Sequence, residues 1–340
     1  ATGAPGEGGV TRSAPARRGA APAKTVAERA AISCLERLFG ATGPTVALGI
    51  GDDAAVLRWA GGRLVWTVDA CVEGVHFDRA WLSLGDIGWR SFHAALSDLG
   101  AMGARPVAAL SSLVLPAGTS RAELVALGRG QAAAARALGC PVVGGNVSSG
   151  DVLSVTTTAI GAARRAVARS GARPGDGVWL LGEVGLAAAG LRLLRDGPET
   201  RRRSRPGAAC IRAWRRPCAR VAEGLEIARV ATAAIDVSDG LGGDVAQLAR
   251  ASGARIVLDE GALREALRPD LIAVSAELGI DPLVLALEGG EDYALVFTTR
   301  RRAPLRASVR IGRVVAGRGA FLAGAGRRLS LLGPGFEHGA

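Results

Sequence analysis

The stretch from residue 49 to residue 77 constrains this chain most. It reads Gly-Ile-Gly-Asp-Asp-Ala-Ala-Val-Leu, a short hairpin-like spacer, then Leu-Val-Trp-Thr-Val-Asp-Ala-Cys-Val-Glu-Gly-Val-His-Phe. Gly49 and Gly51 free the backbone from Cβ sterics just where Asp52 and Asp53 arrive. Residues 64–68 alternate and are β-rich, which predicts a strand ending at Asp69. Two acidic points at the edges of regular elements can converge on one hard cation. Carboxylate oxygens suit Mg²⁺, which keeps several waters and completes its shell with substrate phosphates. A pair of ordinary polar turns would use the same residue types. Further acidic stretches of the same kind downstream favour the cation reading.

The second such stretch is Ala233-Ala-Ile-Asp236-Val-Ser238-Asp239-Gly-Leu-Gly. Asp236 and Ser238 sit two apart on a predicted strand and so share a face. Asp239 opens the following helix, where N-capping is the plainer role for an Asp. A third is Leu287-Glu-Gly289-Gly290-Glu291-Asp292-Tyr293, a glycine turn presenting carboxylates ahead of a strand from Ala294 to Thr298. Asp98 lies in a predicted helix over 86–102, among small and apolar residues. There an acid is either exposed, or paired or metal-bound.

The rest of the chain alternates strands and helices. A helix is expected over 26–40, strands over 107–115 and 152–160, and a helix over 121–138 with a Ser120–Glu123 capping box and Gly139 as its stop. Pro141–Val143 reads as a short strand running into Gly144-Gly145-Asn146-Val147-Ser148-Ser149-Gly150, a glycine-rich turn able to meet phosphate through backbone N–H groups. In the second half a strand is expected from Val178 to Gly182, a helix over 185–194, a polar loop over 197–210 and a helix over 217–231. The pattern predicts an α/β (α+β) protein. Residues 1–25 form a disordered tail, 26–162 an N-terminal α/β domain and 163–340 a C-terminal α/β domain.

Composition excludes several classes. No apolar run reaches transmembrane length, so no membrane association is expected. Net charge is +11, but of the 42 basic residues only Lys24 is lysine, and aromatics make up 4% of the chain. Stacking platforms are scarce, so a nucleic-acid partner is not expected. Five scattered cysteines without a Cys-x-x-Cys pair point to reduced thiols in a cytoplasm. The Gly-x-x-x-x-Gly-Lys-Ser/Thr phosphate loop is absent, as are the protein-kinase signatures and the third glycine of a dinucleotide fingerprint. What remains is an acid-rich, lysine-free phosphate site in which several Mg²⁺ ions stand in for the usual lysine.

Seven segments now stand in a specific order: GIGDDAAVL at 49–57, DACVEGVHF at 69–77, LSDLGAMGA at 96–104, GGN at 144–146, ARSGARPGD at 168–176, IDVSDGL at 235–241 and GGEDYALVF at 289–297. This order resembles the thiamine-monophosphate kinase family, of the aminoimidazole ribonucleotide synthetase superfamily, over roughly residues 26–338. The resemblance implies an N-terminal α/β domain that dimerises through its sheet, giving a homodimer. It also implies a C-terminal α/β domain and ATP in the cleft between the two. The implied activity is direct transfer of the ATP γ-phosphate to thiamine monophosphate, with several Mg²⁺ ions.

Carried over by motif, the magnesium ligands implied are Asp53, Thr67, Val68 (through its carbonyl), Asp69, Asp98, Asn146, Asp236 and Asp239. Asp69 and Asp239 are the implied catalytic carboxylates. Gly145, Asn146, Arg169 and Ser238 are implied for ATP, and His76, Glu291 and Phe336 for thiamine phosphate. The chain departs from the family pattern where Asn146, Ser148 and Ser149 stand in place of Asp, Thr and Arg, and at Val68 and Ala70, where Thr is usual. Asn146 offers a carbonyl oxygen but no charge. Two alternatives are another ATP-using enzyme of the superfamily and a non-catalytic nucleotide-binding paralogue. The first lacks its marks here: there is no lysine in a glycine-rich N-terminus, and the chain ends His-Gly-Ala rather than in a reactive cysteine.

Overall fold

The structure is a computed structural model that describes residues 45–48, 51–196, 199–302, 305, 307–324 and 327–330. The helix expected over 26–40, the tail over 1–25 and Phe336 lie outside the described residues. In the N-terminal half six strands, β1 (Val46–Leu48), β2 (Ala55–Trp59), β3 (Gly62–Val72), β4 (Arg105–Pro116), β5 (Val142–Gly150) and β6 (Ser154–Ala163), form one mixed sheet in the order β1-β2-β3-β6-β4-β5. Helices α1 (Leu84–Ala101) and α2 (Arg121–Leu138) pack on each other and α1 lies along β3 and β6. They approach closely because glycines face each other: a Cβ at Gly130 would sit 2.0 Å from the Gly85 carbonyl oxygen. The capping box of α2 forms as expected, with Gly139 in the left-handed region closing its C-terminus.

The C-terminal half holds a second sheet, built from β7 (Gly177–Leu181), β8 (Ala233–Asp236), β9 (Arg255–Asp259), β10 (Leu295–Thr299), β11 (Ser308–Val315), β12 (Gly319–Gly324) and β13 (Arg327–Ser330), in the order β13-β12-β9-β11-β7-β10-β8. Its helices are α3 (Leu186–Asp196), α4 (Glu199–Arg203), α5 (Arg205–Arg215), α6 (Val221–Ile227), α7 (Leu241–Ser252), α8 (Glu260–Ala266), α9 (Pro269–Leu278) and α10 (Pro282–Glu288). One buried apolar cluster runs through both halves and includes Phe77, Ile87, Leu180, Trp214 and Leu241. Among the described residues no helix is long and apolar enough to cross a membrane.

Four local expectations need correction. Residues 144–150 are not a phosphate-gripping turn: all of 142–150 is an extended edge strand, parallel to β4. Gly145 is needed there because a Cβ would fall 1.7 Å from the Ser111 carbonyl oxygen. Much of the polar stretch 197–210 is helical, with Ser204 capping α5. The helix expected over 217–231 is only α6, because Pro217 and the segment to Arg220 are used to dock on α1. Finally, β8 ends at Asp236, so Ser238 lies beyond the strand rather than on its face.

Candidate active site

Three carboxylates meet where the two halves join. Asp53 arrives just before β2, Asp98 comes from α1 and Asp236 ends β8, and one oxygen from each lies within 4.8 Å of the others. Each is held from behind. The Thr67 hydroxyl donates to Asp98 Oδ2, and Ser97 Oγ donates to Asp236 Oδ2 at 2.6 Å. Arg169 Nε donates to Asp53 Oδ1 at 2.8 Å, while its Nη1 reaches Gln247 Oε1 at 2.8 Å. Asp53 Oδ2 is buried and has no hydrogen-bond partner.

Burial disfavours the charge on each acid. It pushes Asp53 up to about 8 against the pull of Arg169, with Asp236 and Asp52 adding to the rise. Burial likewise holds Asp98 well above the usual carboxylate range, reinforced by Asp236 and Asp53, and raises Asp236. Asp69, half-buried at the cavity wall, is pushed up to about 6 by desolvation and by the neighbouring Glu291 carboxylate. Clustered acids of this kind fit a divalent cation, which removes the cost of gathering negative charge in a low-dielectric site. The orphaned Asp53 oxygen is a donor suited to such an ion.

Beside this cluster opens a cavity of about 500 Å³. Asp69, Asp98, Asp236, Ser238, Asp239, His76 and Glu291 all line it, as does Val68. The structure therefore brings together most of the residues implied by the resemblance. His76 accepts a hydrogen bond on Nδ1 from the Val72 N–H at 3.1 Å, which leaves its Nε2 to carry the proton. Asp239 is not a helix cap: α7 begins at Leu241 with Gly240 as its N-cap.

Three of the expected residues sit elsewhere. Arg169 is tied to Asp53 and Gln247 behind the cluster and does not line the cavity. Gly145 and Asn146 lie on β5, three strands from β3: Asp69 is opposite Thr157, Thr157 opposite Ser111, and Ser111 opposite Gly145. Three strand spacings amount to about 14 Å. Asn146 shares its row with Ala70 rather than Asp69, so its side chain points to the other sheet face. Within one copy of the chain its side chain is therefore set apart from Asp69.

Several residues at the site escape motif reading. Asp244 in α7 accepts the Ser238 and Asp239 backbone N–H groups at 3.1 and 3.2 Å, which shapes the acidic turn. Its signal was an acid in the first turn of a helix directly after that turn. Arg192 and Arg195, one helical turn apart on α3, line the cavity, as does Trp214 at the end of α5. Those two arginines sit in a segment of general helical composition and carry no sequence signal. Arg90 was marked only by its place on the apolar side of α1.

Residues 51–163 match the family model for the AIR synthase related protein, N-terminal domain, and residues 173–324 match that for the C-terminal domain. A thiamine-monophosphate kinase from Aquifex aeolicus is 36% identical over 278 residues, covering 81% of this chain and 89% of that protein. One from Mycobacterium tuberculosis is 39% identical over 259 residues, 74% of each chain. The solved structure of AaThiL complexed with AMPPCP and TMP superposes with a TM-score of 0.83 at 33% identity, covering 92% of this chain and 97% of that one. Sequence order, fold and relatives agree, and the chain belongs to the thiamine-monophosphate kinase family, assembled from the two AIR synthase related domains.

Proposed function

We propose that this protein transfers the γ-phosphate of ATP to thiamine monophosphate, giving thiamine diphosphate and ADP. The observation that carries this reading is the Asp53–Asp98–Asp236 cluster, with the orphaned oxygen of Asp53, beside a cavity lined by Asp98, Asp236, Asp69 and Asp239. In the reaction a phosphate oxygen of thiamine monophosphate forms the new bond to the γ-phosphorus as the bond to the β,γ-bridging oxygen breaks. ADP carries away that electron pair. Such a transfer needs positioning and charge neutralisation rather than covalent help from the protein.

Asp53, Asp98 and Asp236, with Asp69 and Asp239 beside them, would hold Mg²⁺, which when bound neutralises phosphate charge. Thr67, Ser97 and Arg169 fix the orientation of the carboxylates. Ser238 meets ATP at the turn shaped by Asp244. His76 and Glu291 face the acceptor, and Glu291 supplies a negative charge for its thiazolium ring. Arg192 and Arg195, which form no ion pair among the described residues, draw the anionic substrates to the mouth of the cavity. A coupled assay for ADP with and without thiamine monophosphate, run with Mg²⁺ and again in excess EDTA, tests the reading. Acceptor-dependent and Mg²⁺-dependent ADP release is expected, and its absence at every Mg²⁺ concentration overturns it. A non-catalytic paralogue, suggested by Asn146, is less well supported because the other acids remain.

We further take residues 26–162 and 163–340 as two domains, and the working unit as a homodimer formed through the N-terminal sheet. Support comes from the apolar residues on the open face of that sheet: Trp66 is 47%, Val68 63% and Leu110 47% exposed, in adjoining rows. The free edge of β5 carries Gly145 and Asn146 on the same side of the molecule, so they would reach an acid cluster only across such an interface. Cys71, Cys140, Cys210 and Cys218 are free thiols, in keeping with a reducing cytoplasm.

A further inference from the structure

Among the described residues Arg90 is the largest side chain that the fold buries completely, at 1% exposure. It belongs to α1 in the N-terminal half, yet all its named partners lie in the C-terminal half. Its Nη1 donates to the Trp214 carbonyl oxygen, its Nη2 pairs with Glu291 Oε2, and its guanidinium carbon sits 4.8 Å from the centroid of the Trp214 ring. Trp214 and Glu291 both line the cavity beside the acid cluster.

Only Arg90 of this pair is fully buried, since Glu291 keeps 28% of its side chain exposed; the cost of taking the guanidinium out of water still cancels much of the attraction, so the pair is a poor source of stability. What it supplies is a fixed geometry, and Glu291 needs one. Its φ is 72° and that of Tyr293 is 51°, left-handed conformations that non-glycine residues adopt only when held there. The turn is tied to the end of β8 by Glu291 N–H to the Ser238 carbonyl at 2.7 Å and Tyr293 N–H to the Val237 carbonyl at 2.8 Å. The Tyr293 hydroxyl donates to Glu291 Oε2 at 2.9 Å. Both side-chain contacts fall on Oε2, which leaves Oε1 for the cavity.

We infer that Arg90 is a positioning residue: it reaches across from the N-terminal half to lock Trp214 and Glu291 into one preformed wall that receives the cationic ring of the acceptor. A carboxylate oxygen suits a ring with a permanent positive charge, and the buried Trp214 indole behind it lowers the local dielectric in which the two charges meet. Prearranging that wall lowers the ordering cost of binding. The inference rests on the proposed acceptor for the identity of the ring, but not for the existence of the wall. The Glu291 turn leans on the Ser238 carbonyl through its backbone, but the Arg90 side chain touches Trp214 and Glu291 and not Ser238, so its loss falls mainly on the acceptor.

The test is a set of four variants: Arg90→Met, Arg90→Lys, Glu291→Gln, and Arg90→Met combined with Glu291→Gln. Arg90→Met should raise KM for thiamine monophosphate by about tenfold or more, with KM for ATP and kcat changed by no more than roughly twofold to threefold. Arg90→Lys should fall in between, because an ammonium can pair with Glu291 but lacks the planar fork needed to serve Trp214 as well. The double variant removes both charges, so it should fold even if Arg90→Met alone does not. It should show no acceptor loss beyond that of Glu291→Gln. Equal losses for ATP and acceptor, an unchanged acceptor KM, or independent losses in the double variant would each overturn the inference. A crystal structure of Arg90→Met gives a readout free of the acceptor's identity: the Glu291 turn should leave its left-handed conformation, and an unmoved Glu291 overturns the inference. Failure of the functional reading shows instead in the wild type, which would make no thiamine diphosphate.

Discussion

Ser97 on α1 donates to Asp236 at the end of β8 at 2.6 Å, joining carboxylate-bearing elements 139 residues apart in sequence. Ser97 is also the neighbour of Asp98, whose carboxylate joins the same cluster. One turn of one helix therefore sets two of the three clustered acids, and it does so from the N-terminal half onto a C-terminal strand. Ser97→Ala removes the donor and leaves Asp236 less well ordered. The Mg²⁺ concentration for half-maximal rate should rise, and stability should fall by about 1 kcal/mol. Mg²⁺ titration at fixed ATP, with urea unfolding alongside, checks both. An unchanged Mg²⁺ requirement would separate the Ser97 contact from metal binding.

Asp69→Asn and Asp239→Asn should each lower kcat by about 10²-fold or more, as expected when a charge that steadies the transferring phosphoryl group is lost. Neither should melt earlier. Burial raises Asp69 to about 6, so a neutral amide there relieves electrostatic strain rather than adding it. Near wild-type turnover with unchanged melting would return that residue to an ordinary turn role.

His93 provides a pH dependence separate from the acids. It is buried on α1, accepts the Ala219 N–H on Nδ1 at 3.0 Å, packs against Trp89, and has no partner for Nε2. Burial lowers it from 6.5 to about 4. The native state therefore resists the proton that the unfolded chain accepts. Its contribution is complete above pH 6.5 and is lost as pH falls from 6.5 towards 4, to a total of about 3 kcal/mol. Urea unfolding at pH 7.5 and 4.5 should show a steeper loss in the wild type than in His93→Gln. Parallel losses would assign the acid sensitivity to other groups.

Leu110→Lys places a charge on the open apolar face of the N-terminal sheet. If that face joins two copies, the variant should run as a monomer in light scattering where the wild type runs as a dimer, with unfolding changed by no more than about 0.5 kcal/mol, as for a surface substitution. A dimeric variant, or a monomeric wild type, would remove the sheet face as the interface.

Much of this protein was legible from local signals. Acids beside glycine or at expected strand ends marked Asp53, Asp69, Asp236 and Asp239, although β3 runs past Asp69 to Val72; glycine permits the turn, and an extended strand fixes the face to which its carboxylate points. Capping chemistry marked both ends of α2 within the sequence that forms it. Motif order carried the family. Long-range pairing was not legible. Residues 142–150 look like a phosphate turn until β4 supplies a parallel partner, and only that pairing puts Asn146 three strands from Asp69 and on the opposite sheet face. Arg90, Ser97 and Asp244 look ordinary along the chain, since their roles depend on Trp214, Glu291, Asp236 and the Ser238–Asp239 backbone meeting them in space. The sequence by itself determined which groups could carry charge and where the backbone could turn, both being properties of a few adjacent residues. The tertiary structure alone decided which charges are buried together, because desolvation and ion pairing depend on the neighbours that packing supplies.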